Sequence, residues 1–246
     1  MWKFIRREIL EWKVLMRSVP AFFFAVFAAS VVIMNLLANK SINLPVDWLA
    51  LDCGIIVSWI SFLCMDIAVK HFGAKAATKL SLAAVLVNLL ACAIFFAAGQ
   101  ISGIWSASYV DGSEHIINEA LDATFAGTWY VLLGSTIAFI CSAVINNLAN
   151  IAVGRIFRKN PDGFGAYACR SYVSTALGQF ADNLIFALLV SHVFFGWTMV
   201  QCFTCAVTGM VCELLCEVIF SPAGYAVSRR WKRNAVGKEY LALTSV

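Results

Sequence analysis

The sequence predicts an all-α integral membrane protein, with six transmembrane helices in one bundle. Three observations carry this. Of 246 residues, 61% are hydrophobic and only 13% are charged, about half the charged share of an ordinary soluble domain. The mean hydropathy is +0.82. Apolar runs long enough to cross a ~30 Å hydrocarbon core recur along the chain, each of about 20 residues. One bundle accounts for all of them.

Residues 1–19 carry five Lys/Arg among large apolar side chains and are equally readable as an amphipathic helix lying on the cytoplasmic membrane surface and as a plain charged tail. Residues 20–225 form the transport-type bundle, and residues 226–246 a basic tail. Span 1 is expected from about Pro20 to Ala38, with Ala21, Ala25, Ala28 and Ala29 giving a small-residue face for close helix contact. Span 2 runs from about Leu49 to Val69, with Asp52 and Asp66 near its ends, and span 3 from Ala77 to Ala98, with Asn88 inside. Gln100 to Thr124, containing Asp111, Glu114, Glu119 and Asp122, reads as the one long loop. Span 4 covers Phe125 to Ile151, and a turn at Gly154–Gly165 with Pro161 and Asp162 follows. Span 5 is Ala168 to His192. A tight turn at Phe195–Trp197 leads to span 6, Thr198 to Phe220, which Pro222 and Gly224 are expected to end.

Orientation follows from the basic residues. Five Lys/Arg lie in the N-terminal tail, three between spans 2 and 3, four between spans 4 and 5, and five in the C-terminal tail; Lys40 alone is on the other side. The positive-inside rule puts both termini in the cytoplasm and the acidic loop outside. No cleavable signal peptide is expected, because the first apolar run starts only at about Pro20. A nucleic-acid surface is not expected either, since the basic residues flank apolar spans.

The chemistry sits inside the spans. At the helical period, Ser171, Thr175, Gln179, Asp182 and Phe186 fall within about 80° of each other, so span 5 has one polar side. Ser135, Ser142, Asn146 and Asn150 share a face of span 4, and Glu213 and Glu217 a face of span 6. An ionised side chain at mid-bilayer costs roughly 2.5–3.5 kcal/mol, so depth ranks the candidates. Asp182 lies ~18 Å and Glu213 ~10 Å from the basic side at 1.5 Å per residue. Both favour function over an internal structural hydrogen bond. Asn146, Asn147, Asn150 and Gln179 are equally readable as helix–helix glue. Asp52, Asp66 and Arg170, near span ends, are equally readable as caps or loop partners. Carboxylates, amides and hydroxyls among aromatics suit a flat, hydrogen-bonding solute such as a heterocyclic base, and the same carboxylates can carry protons.

The nine cysteines lie mostly in apolar runs, where thiols behave as small hydrophobes. Cys202 and Cys205 form a CxxC and Cys212 and Cys216 nearly share a helical face, but no histidine accompanies them, so no metal or cofactor is expected. His71, His115 and His192 lie at span ends or in loops, which leaves no nucleophile–base pair for an intramembrane enzyme.

The blocks VVIMNLLANK, LDCGIIVSWISFLCMDIAVKHFGAKAA and CRSYVSTALGQFADNLIF, with Pro222 near the close of the last helix, together resemble the queuosine precursor transporter family, also called the vitamin uptake transporter family. The likeness runs in order over residues 30 to 225. It implies a bacterial or archaeal importer in the cytoplasmic membrane, similar in architecture to the substrate-binding subunits of energy-coupling-factor transporters but working without the ATPase module. The implied cargo is a 7-deazaguanine derivative: 7-cyano- or 7-aminomethyl-7-deazaguanine, queuine or queuosine, for tRNA modification. Asn35, Asp66, Arg170, Ser174, Gln179 and Asp182 are the positions that match. Where the family reads D-x-x-x-E-x-Y-G, this chain has Asp66, Lys70, Phe72 and Gly73; the charge reversal at Lys70 points to an altered gate.

The combined expectation is that Asp182, Gln179, Glu213 and Asn146 bind substrate with Asn35 and Ser174, while Phe186 stacks on it. Asp66, Lys70, Arg170 and Glu217 gate or couple. A homodimer fits as an assembly. The rival reading is a substrate-binding subunit for another vitamin, docked through the span 1 alanine face onto a scaffold with its own ATPase. A purely structural scaffold leaves Asp182 unexplained.

Overall fold

The computed structural model describes residues 2–42, 44–101, 112, 114–127, 129–157 and 163–244. Asp111 and the turn residues Pro161 and Asp162 lie outside them. The described elements are α1 (Trp2–Ser18), α2 (Ala21–Leu37), α3 (Ile55–Phe72), α4 (Ala74–Ala98), α5 (Glu114–Gly127), α6 (Trp129–Gly154), α7 (Phe164–Phe186), α8 (His192–Phe195), α9 (Met199–Arg233) and α10 (Lys238–Thr244). A π-helical turn, Ala187–Ser191, joins α7 to α8.

Five stretches, containing α3, α4, α6, α7 and α9, are long and apolar enough to cross a membrane; α1 and α2, joined across a 102° bend, give a sixth if the bent pair counts as one span. The 17 residues of α2 span about 26 Å at 1.5 Å per residue. The bundle is apolar outward: Leu82, Leu86, Leu90 and Ile94 recur along the exposed side of α4, while Leu80, Ala84 and Asn88 are buried. This is what a hydrocarbon solvent selects, because lipid accepts apolar side chains and leaves polar ones to pair inside.

Three boundaries differ from those read in the sequence. The helix expected to end before Pro222 continues to Arg233. Proline removes the amide that would bond the carbonyl four residues back; here the Ser221 hydroxyl donates to the Val218 carbonyl at 3.2 Å, which meets the need locally. The segment expected to be one long loop carries α5 over Glu114–Gly127. Asp52, read as lying inside span 2, sits in the turn before α3, where its Oδ1 accepts from Gly54 N at 2.7 Å. The tight turn before α9 is present: Gly196 takes φ +70°, a left-handed helix end that glycine adopts without steric cost.

The basic end is closed by the terminal helices. Trp231, Phe72 and Tyr240 are buried together in the core, with His71 Nε2 2.9 Å from the Val236 carbonyl. α1 is tied to α4 by charge. Lys75 Nζ and Lys79 Nζ lie 2.6 and 2.7 Å from Glu11 Oε2, and both also reach Glu8. Glu11 is 1% exposed. At the opposite end, Gln201 and Thr204 of α9 donate to the carbonyls of Asp47 and Trp48.

Burial alone pushes the Glu11 carboxyl up, but the hydrogen bonds from Lys75 and Lys79 outweigh it and hold the group at about 2, below an ordinary 4.5. A pKa lowered by folding contributes stability that is full above the unfolded value and lost as pH falls through the folded one. Acidification from about 4.5 toward 2 should therefore release α1. Glu11→Gln should cost about 2–3 kcal/mol at neutral pH and flatten the stability curve in that window. Thermal unfolding of the detergent-solubilised protein as a function of pH reads both effects; an unchanged curve would mean the ion cluster does not hold α1.

Candidate functional site

The interior polar groups form a column through the bundle with two carboxylate pairs, one above the other. α9 sets their spacing. Glu213 and Glu217 are one helical turn apart, about 6 Å along the axis, and both are buried.

The pair farther from the basic end is Asp182 and Glu213. The Ser142 hydroxyl donates to Asp182 Oδ1 at 3.0 Å, the Ser58 hydroxyl donates to Glu213 Oε1, and Asn183 Nδ2 donates to Glu213 Oε2 at 3.1 Å. The Ser135 hydroxyl donates to Asn35 Oδ1, and Asn35 Nδ2 has no partner among the described residues. All of these except Ser142 line a cavity of about 30 Å³, together with Asp52, Met34 and Phe186. That volume holds a water or two. A heterocyclic base enters only if the helices separate, so this is a closed form of the bundle.

The pair nearer the basic end is Asp66 and Glu217. Asp66 Oδ1 accepts from Asn150 Nδ2 at 3.1 Å and from the Ser174 hydroxyl at 3.2 Å; its Oδ2 accepts from Thr175 at 3.3 Å. The Ser171 oxygen lies 2.5 Å from Asp66 Oδ2 and 2.5 Å from Glu217 Oε1. Arg170 donates twice to Asn150 Oδ1, at 3.0 and 2.6 Å, so one amide separates its guanidinium from Asp66. Lys70 lines the same narrow space with Tyr167 and Arg170.

Gln179 and Asn146 are fully buried, and all four of their side-chain amide atoms lack a hydrogen-bond partner among the described residues. Asn146 lies close to Asp66 without a bond of ordinary geometry. An unmet buried polar group costs about 1–3 kcal/mol, which water or a polar guest would remove.

Of the residues singled out in the sequence, Asp182, Glu213, Asn35 and Phe186 meet at the cavity. Ser174 belongs instead to the Asp66 group. Asp66, Arg170, Glu217 and Lys70 come together at the basic end. Sequence reasoning passed over Ser58, Asn183 and the cavity-facing role of Asp52. Asn183 was hard to see because it is about 100° round α7 from Asp182, outside the polar face; it reaches Glu213 only because Gly209 of α9 makes room, with the asparagine side chain 2.6 Å from where a Cβ would stand.

An apolar-coated bundle with buried carboxylates along its axis belongs to the multi-pass membrane proteins that handle small polar solutes. The chain is a member of the vitamin uptake transporter family: the family model described as "Putative vitamin uptake transporter" matches residues 52–227. That span includes both carboxylate pairs, Gln179 and Asn146, and leaves out Asn35. No curated protein and no solved structure matches.

α6 and α7 pack closely at Gly178, where an added Cβ would stand 2.8 Å from the Phe62 ring and 3.1 Å from Asn146 Cβ. Gly178→Ala should cost about 1–3 kcal/mol through overpacking. Gly165→Ala, where a Cβ meets nothing, should not destabilise. Melting temperatures of the two variants give the comparison.

Proposed function

We propose that this protein imports queuosine precursors or their salvage forms, 7-deazaguanine bases or the corresponding nucleoside, across a bacterial cytoplasmic membrane. Both termini are then cytoplasmic and the acidic loop external, as the distribution of Lys/Arg requires. The observation that carries the reading is the set of Asp182, Glu213, Asn35 and Asn183 around one cavity, Asn35 and Glu213 buried and Asp182 and Asn183 half-buried. Carboxylates accept the paired N–H donors on the edge of a deazaguanine, amides read its carbonyl, and Phe186 covers a ring face. Gln179 and Asn146, with open amides, take the polar substituent as the bundle opens. The resemblance of the blocks around Asn35, Asp66 and Arg170–Phe186 to queuosine precursor transporters supports this cargo within vitamin uptake. In this scheme Asp66, Lys70, Arg170 and Glu217, with Ser174 bound to Asp66, gate the cytoplasmic end.

A second reading has its own observation. Ala21, Ala25 and Ala29 remain exposed on α2, one turn apart, and such a small-residue ridge lets another helix approach closely. A substrate-binding subunit for a different vitamin would dock a scaffold there, and stable co-purification with a separate ATPase module would favour it.

Ligand-dependent thermal shift of the purified protein separates the two. A ligand at 100 times its Kd adds about 2.7 kcal/mol to folded-state stability. A shift with one deazaguanine and none with guanine is the expected result; a shift only with an unrelated vitamin would remove the cargo assignment. Asp182→Ala should abolish uptake while membrane insertion is preserved, and normal uptake by that variant would take Asp182 out of the site.

A further inference from the structure

We infer that Glu217 carries a proton in the closed bundle and that the Ser171 hydroxyl relays it to Asp66, making these three side chains a proton-binding site distinct from the cavity at Asp182. Counting donors leads there. Ser171 Oγ is 2.5 Å from Asp66 Oδ2 and 2.5 Å from Glu217 Oε1, yet a serine has one hydroxyl hydrogen and can donate to only one of them. The other contact needs a hydrogen from a carboxylic acid. Short O–H···O⁻ contacts of this kind are charge-assisted.

The surroundings say which carboxyl holds it. Asp66 also accepts from Asn150 Nδ2 and from the Thr175 hydroxyl, a donor set suited to an ionised group, while the single Ser174 hydrogen is shared between Asp66 Oδ1 at 3.2 Å and the Ser171 carbonyl at 3.0 Å. Glu217 is fully buried. Among the described residues its Oε1 meets only Ser171, and its Oε2 has no partner. An unmet carbonyl oxygen in a neutral acid is far cheaper than an unmet oxygen on a buried charge. The chain therefore runs Glu217 Oε1–H to Ser171 Oγ, and Ser171 O–H to Asp66 Oδ2.

Transfer along it balances. Ser171 Oγ takes the Glu217 hydrogen as Asp66 Oδ2 takes the Ser171 hydrogen; the serine is regenerated and the negative charge passes from Asp66 to Glu217. The charged and titratable groups facing the pair are Arg170, one amide away through Asn150, Lys70 and Tyr167 in the adjoining space, and Cys64 of α3 beside Glu217. With one proton present, the Asp66 charge is matched across Asn150 by Arg170. Without it, two carboxylates on α3 and α9 confront one serine on α7, which favours parting those helices at the basic end. This use of the proton rests on the transport reading; its residence on Glu217 does not.

The test needs no substrate. Infrared spectra of the lipid-reconstituted full chain at neutral pH should contain a protonated-carboxyl C=O band that Glu217→Gln removes and Asp66→Asn does not. Glu217→Gln mimics the protonated acid and should keep the wild-type melting temperature. Ser171→Ala, which takes away the acceptor, should move the band to higher frequency. A band unchanged in Glu217→Gln, a band removed by Asp66→Asn instead, or a band unmoved in Ser171→Ala would each overturn the proposal. Failure of every deazaguanine to bind would sink the cargo assignment and leave this result standing.

Discussion

The structure depends on polar side chains being sequestered from hydrocarbon and satisfied there by one another. The column from Asn35 to Arg170 has little water to share, so each carboxylate must find protein donors. Asp66 finds them on α6 and α7, and Glu213 on α3 and α7. Every such bond joins two helices, so the same contacts that lower the desolvation cost also set how the spans face each other. Helices in lipid have no hydrophobic force between them, which leaves close packing and these bonds to hold the bundle.

The incomplete satisfaction is as informative. Gln179 and Asn146 keep open amides in the interior, although neither lines the cavity of about 30 Å³. A bundle built only for rigidity would have closed these groups with partners or replaced them with apolar ones. An unmet buried amide costs about 1–3 kcal/mol, which water or a polar guest would remove. The family match over residues 52–227 agrees in kind, since vitamin uptake needs such a lane.

The two ends differ in chemistry. At one, the turn before α3 and the loop carbonyls of Asp47 and Trp48 are drawn onto α9. At the other, charges dominate: Arg170 and Lys70 inside, and the Glu11 cluster tying α1 across α4. The ion-paired cluster of α1 and α4 lies at the same end as the Asp66–Glu217 pair, and α3 and α4 meet at Gly73.

The sequence alone determined the class, the spans and the depth of the ionisable residues, because lipid is an undiscriminating solvent: any run of about 20 apolar residues is legible, and any carboxylate within it stands out. It also placed Asp182 and Glu213 in the interior, whereas Asp66, read as lying near a span end, is buried in the fold. Which residues meet was decided by tertiary packing. Ser174 turned toward Asp66 because its helix face at that level meets α3, and Asn183 joined Glu213 through the space at Gly209. Helix ends were decided there too. Pro222 stays inside a helix since Ser221 meets the carbonyl it frees, and the acidic segment forms α5 despite its polarity. Periodicity gives each helix a polar side, but the rotation that brings two polar sides together belongs to the pair of helices and is encoded in neither one.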